Sequence, residues 1–160
     1  MAFYTGRSGS LSFGTTDSTA PSSSLTAPTN IRQVAKIRDW NLDTTVELIS
    51  TNSIDSGVNT FTPGVKGATG SATLIYYRLE GAESNTLYGF NTLLSGAIHK
   101  TGNITEADRV FLQLNVGGDS SDDIKFWAYI TSAGIAVSTG ELSTVPIQFT
   151  MDGDFVETVV

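Results

Sequence analysis

The sequence predicts a mainly β protein: a sandwich or barrel of about seven or eight short antiparallel strands with one short α-helix. Composition is the first observation behind this. Of 160 residues, 22 are Thr and 18 are Ser, a quarter of the chain, and 16 are Gly. Thr suits a pleated, half-buried surface, whereas Ser and Gly collect in turns. The second observation is period-two alternation of apolar and polar residues in several segments. The third is the close spacing of Gly- and Asp-rich turn signals, without the long Ala, Leu, Glu and Lys runs of a helical protein. The length suits a single domain over residues 1–160 with a core of its own.

Arg7–Phe13 alternates small or polar with apolar residues and reads as the first strand. Residues 15–30 are rich in Ser, Thr and Pro and lack periodicity, so they are expected to form a flexible segment. Ile31–Arg38 is strand-like with basic residues on its polar side. In Asp39–Ser50, Trp40, Leu42, Thr44, Val46 and Leu48 share one face and Asn41, Asp43, Thr45 and Glu47 the other, the pattern of a strand with one buried and one wet side. Residues 52–70 are turn-rich and are expected to form a long projecting loop. Ser71–Glu80 is a strand with large apolar groups on both faces.

The helix is expected over about 85–95. Ser84 or Asn85 can cap it, Leu87, Phe90 and Leu94 share a face, and Gly96 stands where a left-handed terminator belongs. The rest reads as strands over Arg109–Val116, Ile124–Ile130, Gly134–Ser138, Val145–Met151 and Phe155–Val159. Asp152-Gly153-Asp154 between the last two is a hairpin signal.

With no cysteine, neither disulfides nor thiolate metal sites are available. The opening Met1–Arg7 lacks the apolar stretch of a secretory signal, and no run approaches the roughly 20 apolar residues of a membrane span. Synthesis in the cytoplasm without membrane association is therefore expected. The formal net charge of −7 is placed unevenly. The basic and acidic side chains of residues 1–100 cancel, and residues 101–160 set only Arg109 and Lys125 against the remaining carboxylates. Gripping nucleic acid through its phosphates needs the opposite sign. An acidic surface is either an ordinary solvated one or one past which DNA slides.

No catalytic, metal or cofactor site is expected. His99, the sole histidine, has no serine in a nucleophile-elbow context to serve. Asp119, Asp122 and Asp123 miss the EF-hand spacing and read as a solvated turn, as do Asp152 and Asp154. The glycines of Pro63–Gly70 lack the Gly-Lys-Ser/Thr order of a phosphate loop. Asn103-Ile104-Thr105 fits a glycosylation triplet but has no secretory context. Arg32, Lys36 and Arg38 are offset by Asp39 and Asp43, and suit a strand face better than a nucleic-acid patch.

Val34–Leu48 (VAKIRDWNLDTTVEL), followed by Phe61–Ala72 (FTPGVKGATGSA), resembles the major tail tube protein family of long-tailed bacteriophages. In that family a Trp-bearing strand with a similar LDT-E run leads into a PG-K--TGSA loop. The resemblance covers residues 6–80 and, more loosely, the order of the later strands. It implies a structural virion protein of tail-tube fold and no enzymatic activity. Such subunits form rings, typically hexameric, whose strands join into one barrel and whose stacking makes the conduit for DNA ejection. The implied partners are other copies of the chain, a tape-measure protein, tail terminator and baseplate proteins, and a sheath protein if the tail is contractile. DNA would pass without specific binding. Phe61, Pro63, Gly64 and Lys66 are the expected inter-subunit or inter-ring contacts, and Asp119, Asp122, Asp123 and Glu141 the expected acidic lumen residues. Two other readings compete. One is a different virion ring component of the neck, terminator or baseplate. The other is a ligand-binding β-sandwich using Tyr88, Trp127 and Tyr129.

Overall fold

The structure, a computed structural model, describes residues 9–17, 20, 25–34, 37–54, 57–75, 87–88, 102–117 and 123–158. Eight strands are described: β1 (Ser10–Thr15), β2 (Arg32–Val34), β3 (Ile37–Ser50), β4 (Phe61–Ile75), β5 (Leu87–Tyr88), β6 (Val110–Asn115), β7 (Asp123–Ala133) and β8 (Thr144–Thr158). All belong to one sheet in the order β3-β4-β8-β7-β6-β1-β2-β5. Every pairing is antiparallel except β2 with β5. The sheet curls far enough for β1 to approach β3, so the expected sandwich or barrel takes the form of one rolled sheet.

Alternation places the core on one face of this sheet. Rows of apolar side chains run across it: Phe13, Leu112, Phe126 and Phe155 in one, Leu11, Leu114 and Ile124 in the next. Ile147 and Ala72 continue the face toward Trp40. Phe126 packs against Phe149 and Phe155 with ring centroids 5.9 and 5.7 Å apart. Each fully buried Leu or Phe stabilises the fold by about 1.5–3 kcal/mol. Gly70 sits opposite Phe149, and a Cβ there would meet the Phe149 ring at 2.6 Å, so the aromatic ring lies where a side chain is missing.

The other face of β6 and β7 carries a smaller core of Phe111 and Trp127, edge-to-face at 5.2 Å. Segment 15–31 covers it with Ala20, Ala27 and Ile31. The described residues of this segment, which the sequence leads one to expect as flexible, make hydrogen bonds among themselves and to the sheet. Asp17 accepts hydrogen bonds from Ala20 N (2.8 Å) and from Thr29 N (2.7 Å) and Oγ1 (2.8 Å). Asn30 exchanges bonds with Thr15, and Trp127 Nε1 donates to the Thr26 carbonyl at 3.1 Å. A chain without regular structure thus finds its order by capping an apolar sheet face.

Four expectations change. Residues 61–70, expected to belong to a loop over 52–70, are strand, and only 51–60 connects β3 to β4. The Pro and Gly signals misled because Pro63 falls at a register break on a two-stranded ribbon, where its missing N–H costs no ladder bond. The helix over about 85–95 lies outside the described residues except at Leu87–Tyr88, and these pair with β2 as strand. Gly134–Ser138 makes only one isolated bridge, Ala136 to Thr144. Asp152-Gly153-Asp154 is no hairpin: β8 runs straight through it, with the register to β7 slipping between Phe126 and Trp127. Gly153, at φ +79°, takes the left-handed conformation of a β-bulge.

Candidate functional site

The most distinctive feature is an arm. β8 pairs with β4 only at Thr69–Ile75, so Phe61–Ala68 pairs with β3 alone. The two strands leave the body together as a ribbon. β8 carries its bulge at Gly153 just beyond its last pairing with β4 at Thr150, and Lys66 Nζ of the arm reaches Asp154 Oδ1 at 2.7 Å. That hydrogen bond, seconded by the backbone N–H of Phe155, holds the Asp154 carboxyl below its ordinary value of 3.8. The far end is closed by bonds between Thr51 and Thr60 and by Asn52, which accepts from Thr60 N and donates to Asn59.

The apolar stripe of β3 continues out along this arm beyond the core that it serves. Trp40 and Leu42 are partly buried against the core, but Val46 is 58% and Leu48 60% exposed. Pro63, opposite Leu48, and Phe61, opposite Ser50, lie on the same face, with Phe61 56% exposed. Contiguous exposed apolar surface of this kind marks an interaction site. Of the four expected contact residues, Phe61 and Pro63 are therefore presented to solvent. Gly64 is half-buried at the register break beside Glu47 and Ile49. Lys66 is engaged with Asp154 and braces the arm.

The opposite face of β3, β4 and β8 is polar. It carries Asp39, Asn41, Asp43, Thr45 and Glu47 from β3, Thr69, Ser71 and Thr73 from β4, and Gln148 and Thr150 from β8. Asn41 Oδ1 accepts from Ser71 N (2.8 Å) and Oγ (2.9 Å), tying two of these strands by their side chains. No Lys or Arg stands among these positions. The expected acidic residues are placed differently. Asp119 and Asp122 lie outside the described residues. Asp123 is buried, accepting from Gln113 Nε2 and from Asn115 Nδ2 (2.6 Å), so its carboxylate holds β6 to β7 and does not face solvent. Glu141 is exposed in the β7–β8 connection. The carboxylates that the fold does gather on an exposed face, Asp39, Asp43 and Glu47, were legible in the alternation of Asp39–Ser50.

The aromatics of the ligand-binding reading are not presented for stacking. Trp127 is fully buried beneath segment 15–31, with the Arg109 guanidinium 4.2 Å from its ring centroid. Arg109 Nη1 in turn meets Asp152 Oδ2 at 3.4 Å. Tyr129 is half-buried, and burial, then the nearby Asp152, pushes its hydroxyl above the ordinary value of 10.0. For Tyr88 only the backbone is described, and His99 lies outside the described residues. Among the described residues no three His, Cys, Asp or Glu side chains converge on a metal-sized site.

No family model matches the sequence, and no curated protein matches it. Solved structures do match its fold. The tail of an empty gene transfer agent particle, refined helically with C6 symmetry, superposes with a TM-score of 0.60 at 15% identity, covering 94% of this chain and 96% of that one. The virion of the native gene transfer agent particle gives 0.59 at 14% identity, over 94% and 95%. The SPP1 tail tube gives 0.61 at 12% identity, over 94% of this chain and 76% of that one. Over nearly its whole length, this chain has the fold of the SPP1 tail tube and gene transfer agent tail proteins.

Proposed function

We propose that this protein is a structural subunit of a phage-type tail tube, whose rings stack into the conduit for DNA. The observation that carries the reading is the shared fold over 94% of the chain with chains of a gene transfer agent tail, of a gene transfer agent virion and of the SPP1 tail tube. The stated C6 symmetry of the gene transfer agent tail supports a ring of six. Long free strand edges support it too. Among the described residues β3 has no hydrogen-bonded neighbour on its outer side, and edges of that kind are blunted when they pair with another copy. The carboxylates and hydroxyls named on this face of β3, β4 and β8, with no Lys or Arg among those positions, suit the wall of the lumen. Phosphates meeting such a wall are repelled or solvated, and DNA slides.

In this reading the exposed stripe of the arm, with Phe61 and Pro63, contacts another subunit, and Gly64 and Lys66 shape and brace the arm. Glu141, Asp119 and Asp122 remain further acidic candidates. The protein has no enzymatic role and acts in the virion tail, with a tape-measure protein, terminator, baseplate and, in a contractile tail, sheath as its partners. Negative-stain electron microscopy of the purified protein over a concentration series tests the reading. Hollow tubes with a regular axial repeat are expected. Single rings that never stack would replace it with a neck or terminator component.

A further inference from the structure

Three consecutive residues of the β8 bulge are each tied to a different part of the molecule. Asp152 meets the Arg109 guanidinium at 3.4 Å, and that group lies over the Trp127 ring. Asp154 meets Lys66 of the arm at 2.7 Å. Between them Gly153 has no side chain, and a Cβ there would stand 3.2 Å from Leu25 Cδ2. Leu25 thus stands against the bulge, and its neighbour Thr26 accepts the hydrogen bond of Trp127 Nε1. Residues 25–31 therefore reach from the start of β2 across Trp127 to the same bulge on which the arm is braced. We infer that this bulge is a mechanical joint: the seating of residues 25–31 on Trp127 and the bracing of the arm by Lys66 form one coupled state, so that disturbing either loosens the other.

The backbone explains why the joint is sensitive. β7 meets β8 at Asp152 and next at Phe155, and the last register partner of β8 on β4 is Thr150. Neither Gly153 nor Asp154 has a register partner among the described strands. Bulged residues stand outside the ladder, so their position depends on what packs against them. Here that is Leu25 on Gly153 and Lys66 on Asp154. A shift of Leu25 lets Gly153 move, and Asp154, one residue along, moves with it relative to Lys66. The reverse effect has the same size, because coupling between two sites is reciprocal. The joint belongs to one subunit and stands apart from the tail-tube reading. Within that reading, a load on the arm is felt on the Trp127 face of the sheet.

Each partner is tested by a readout at the other. Hydrogen exchange of the Trp127 indole N–H reports the bond to Thr26. In the full chain, Lys66→Met is expected to speed it by about two- to fivefold, the ceiling being what an exposed ion pair contributes. Val65→Ala, an exposed position on the arm outside the bridge, is expected to leave it unchanged. The second readout is the NMR titration of the Asp154 carboxyl. Leu25→Ala is expected to raise its midpoint toward that of Lys66→Met, because the bond to Lys66 is what chiefly holds it low. Adding Leu25→Ala to Lys66→Met should raise the midpoint no further, as for two changes acting on one state.

Charge exchange separates the joint from a general loss of stability. Lys66→Asp combined with Asp154→Lys restores an ion pair of opposite sense, and Trp127 exchange is expected to return toward its original rate. The backbone amides of Leu112 and Leu114 in the main core serve as reference. The inference is overturned if Lys66→Met leaves the indole rate unchanged, or if indole and core amides quicken together. It is overturned equally if Leu25→Ala leaves the Asp154 midpoint in place, since the segment would then touch the bulge without holding it. Failure of the exchanged pair to slow the indole would remove the ion pair as the link.

Discussion

Gly70 joins the core to the arm, and its substitution measures how tightly that joint is packed. A methyl group there would collide with the Asn41 carbonyl and meet Phe149 Cζ at 2.6 Å. Gly70→Ala is expected to destabilise by about 1–3 kcal/mol, read by denaturant unfolding. Gly67→Ala, whose nearest neighbour would be Thr45 Oγ1 at 3.8 Å, is expected to change stability by less than about 0.5 kcal/mol. Equal effects would mean that the Phe149 ring gives way. Lys66 makes a separate prediction, this one about pH. Its hydrogen bond lowers the Asp154 carboxyl, so the ion pair forms fully above the ordinary value of 3.8 and is lost as pH falls through the lowered one. In Lys66→Met, an NMR titration should find Asp154 shifted upward, and an unmoved midpoint would remove Lys66 as the cause. At this scale the sequence is least informative. Nothing in the run 119–123 distinguishes Asp123 from its neighbours until β6–β7 register sets it against Asn115, with Gln113 two positions along.

Among the elements, β3 was legible down to its two faces, because strict alternation over Asp39–Ser50 outweighs any competing pattern. What alternation could not show is where the core ends. The same stripe is covered at Trp40 and Leu42 and bare at Val46 and Leu48, since β8 pairs with the ribbon only up to Thr150. β4 and β8 were misread for one reason: Gly and Pro punctuate turns in most sequences, and here they mark a register break and a bulge. The bulge is the more informative, because an Asp-Gly pair satisfies both a hairpin and a left-handed bulge residue. Only the pairing of both flanks with one strand, β7, decides between them. Gly153→Val should therefore cost about 1–2 kcal/mol for the left-handed backbone alone. Hydrogen exchange should rise first at Trp127 and at 152–156, next to the register slip. Exchange rising uniformly over the sheet would instead assign Gly153 to the global core.

For the whole molecule, a tally of charge along the sequence and the distribution of charge in space lead to different walls. The sequence places its excess carboxylates in 101–160, yet Asp123 is buried and Asp152 meets Arg109. The exposed face that gathers Asp39, Asp43 and Glu47 is assembled from β3, β4 and β8, strands drawn from both halves of the chain. No linear count can see it, because adjacency in the sheet follows strand order and not sequence order. If this face lines the lumen, enclosure and charge can be tested separately. In the free subunit Thr150→Cys, exposed on β8, should react with both a small maleimide and one carrying a large polymer. In tubes it should still react with the small reagent and be shielded from the large one. Equal reactivity toward both in intact tubes would put the face outside. The charge test is the triple change of Asp39, Asp43 and Glu47 to Lys. It should create or strengthen salt-dependent DNA binding relative to the unaltered subunit, with affinity falling roughly 40-fold from 50 to 200 mM salt if three phosphates are neutralised. Unaltered DNA binding would mean that these three side chains do not present one continuous surface to a duplex, and the sliding-wall assignment would then fall even if the shielding result held.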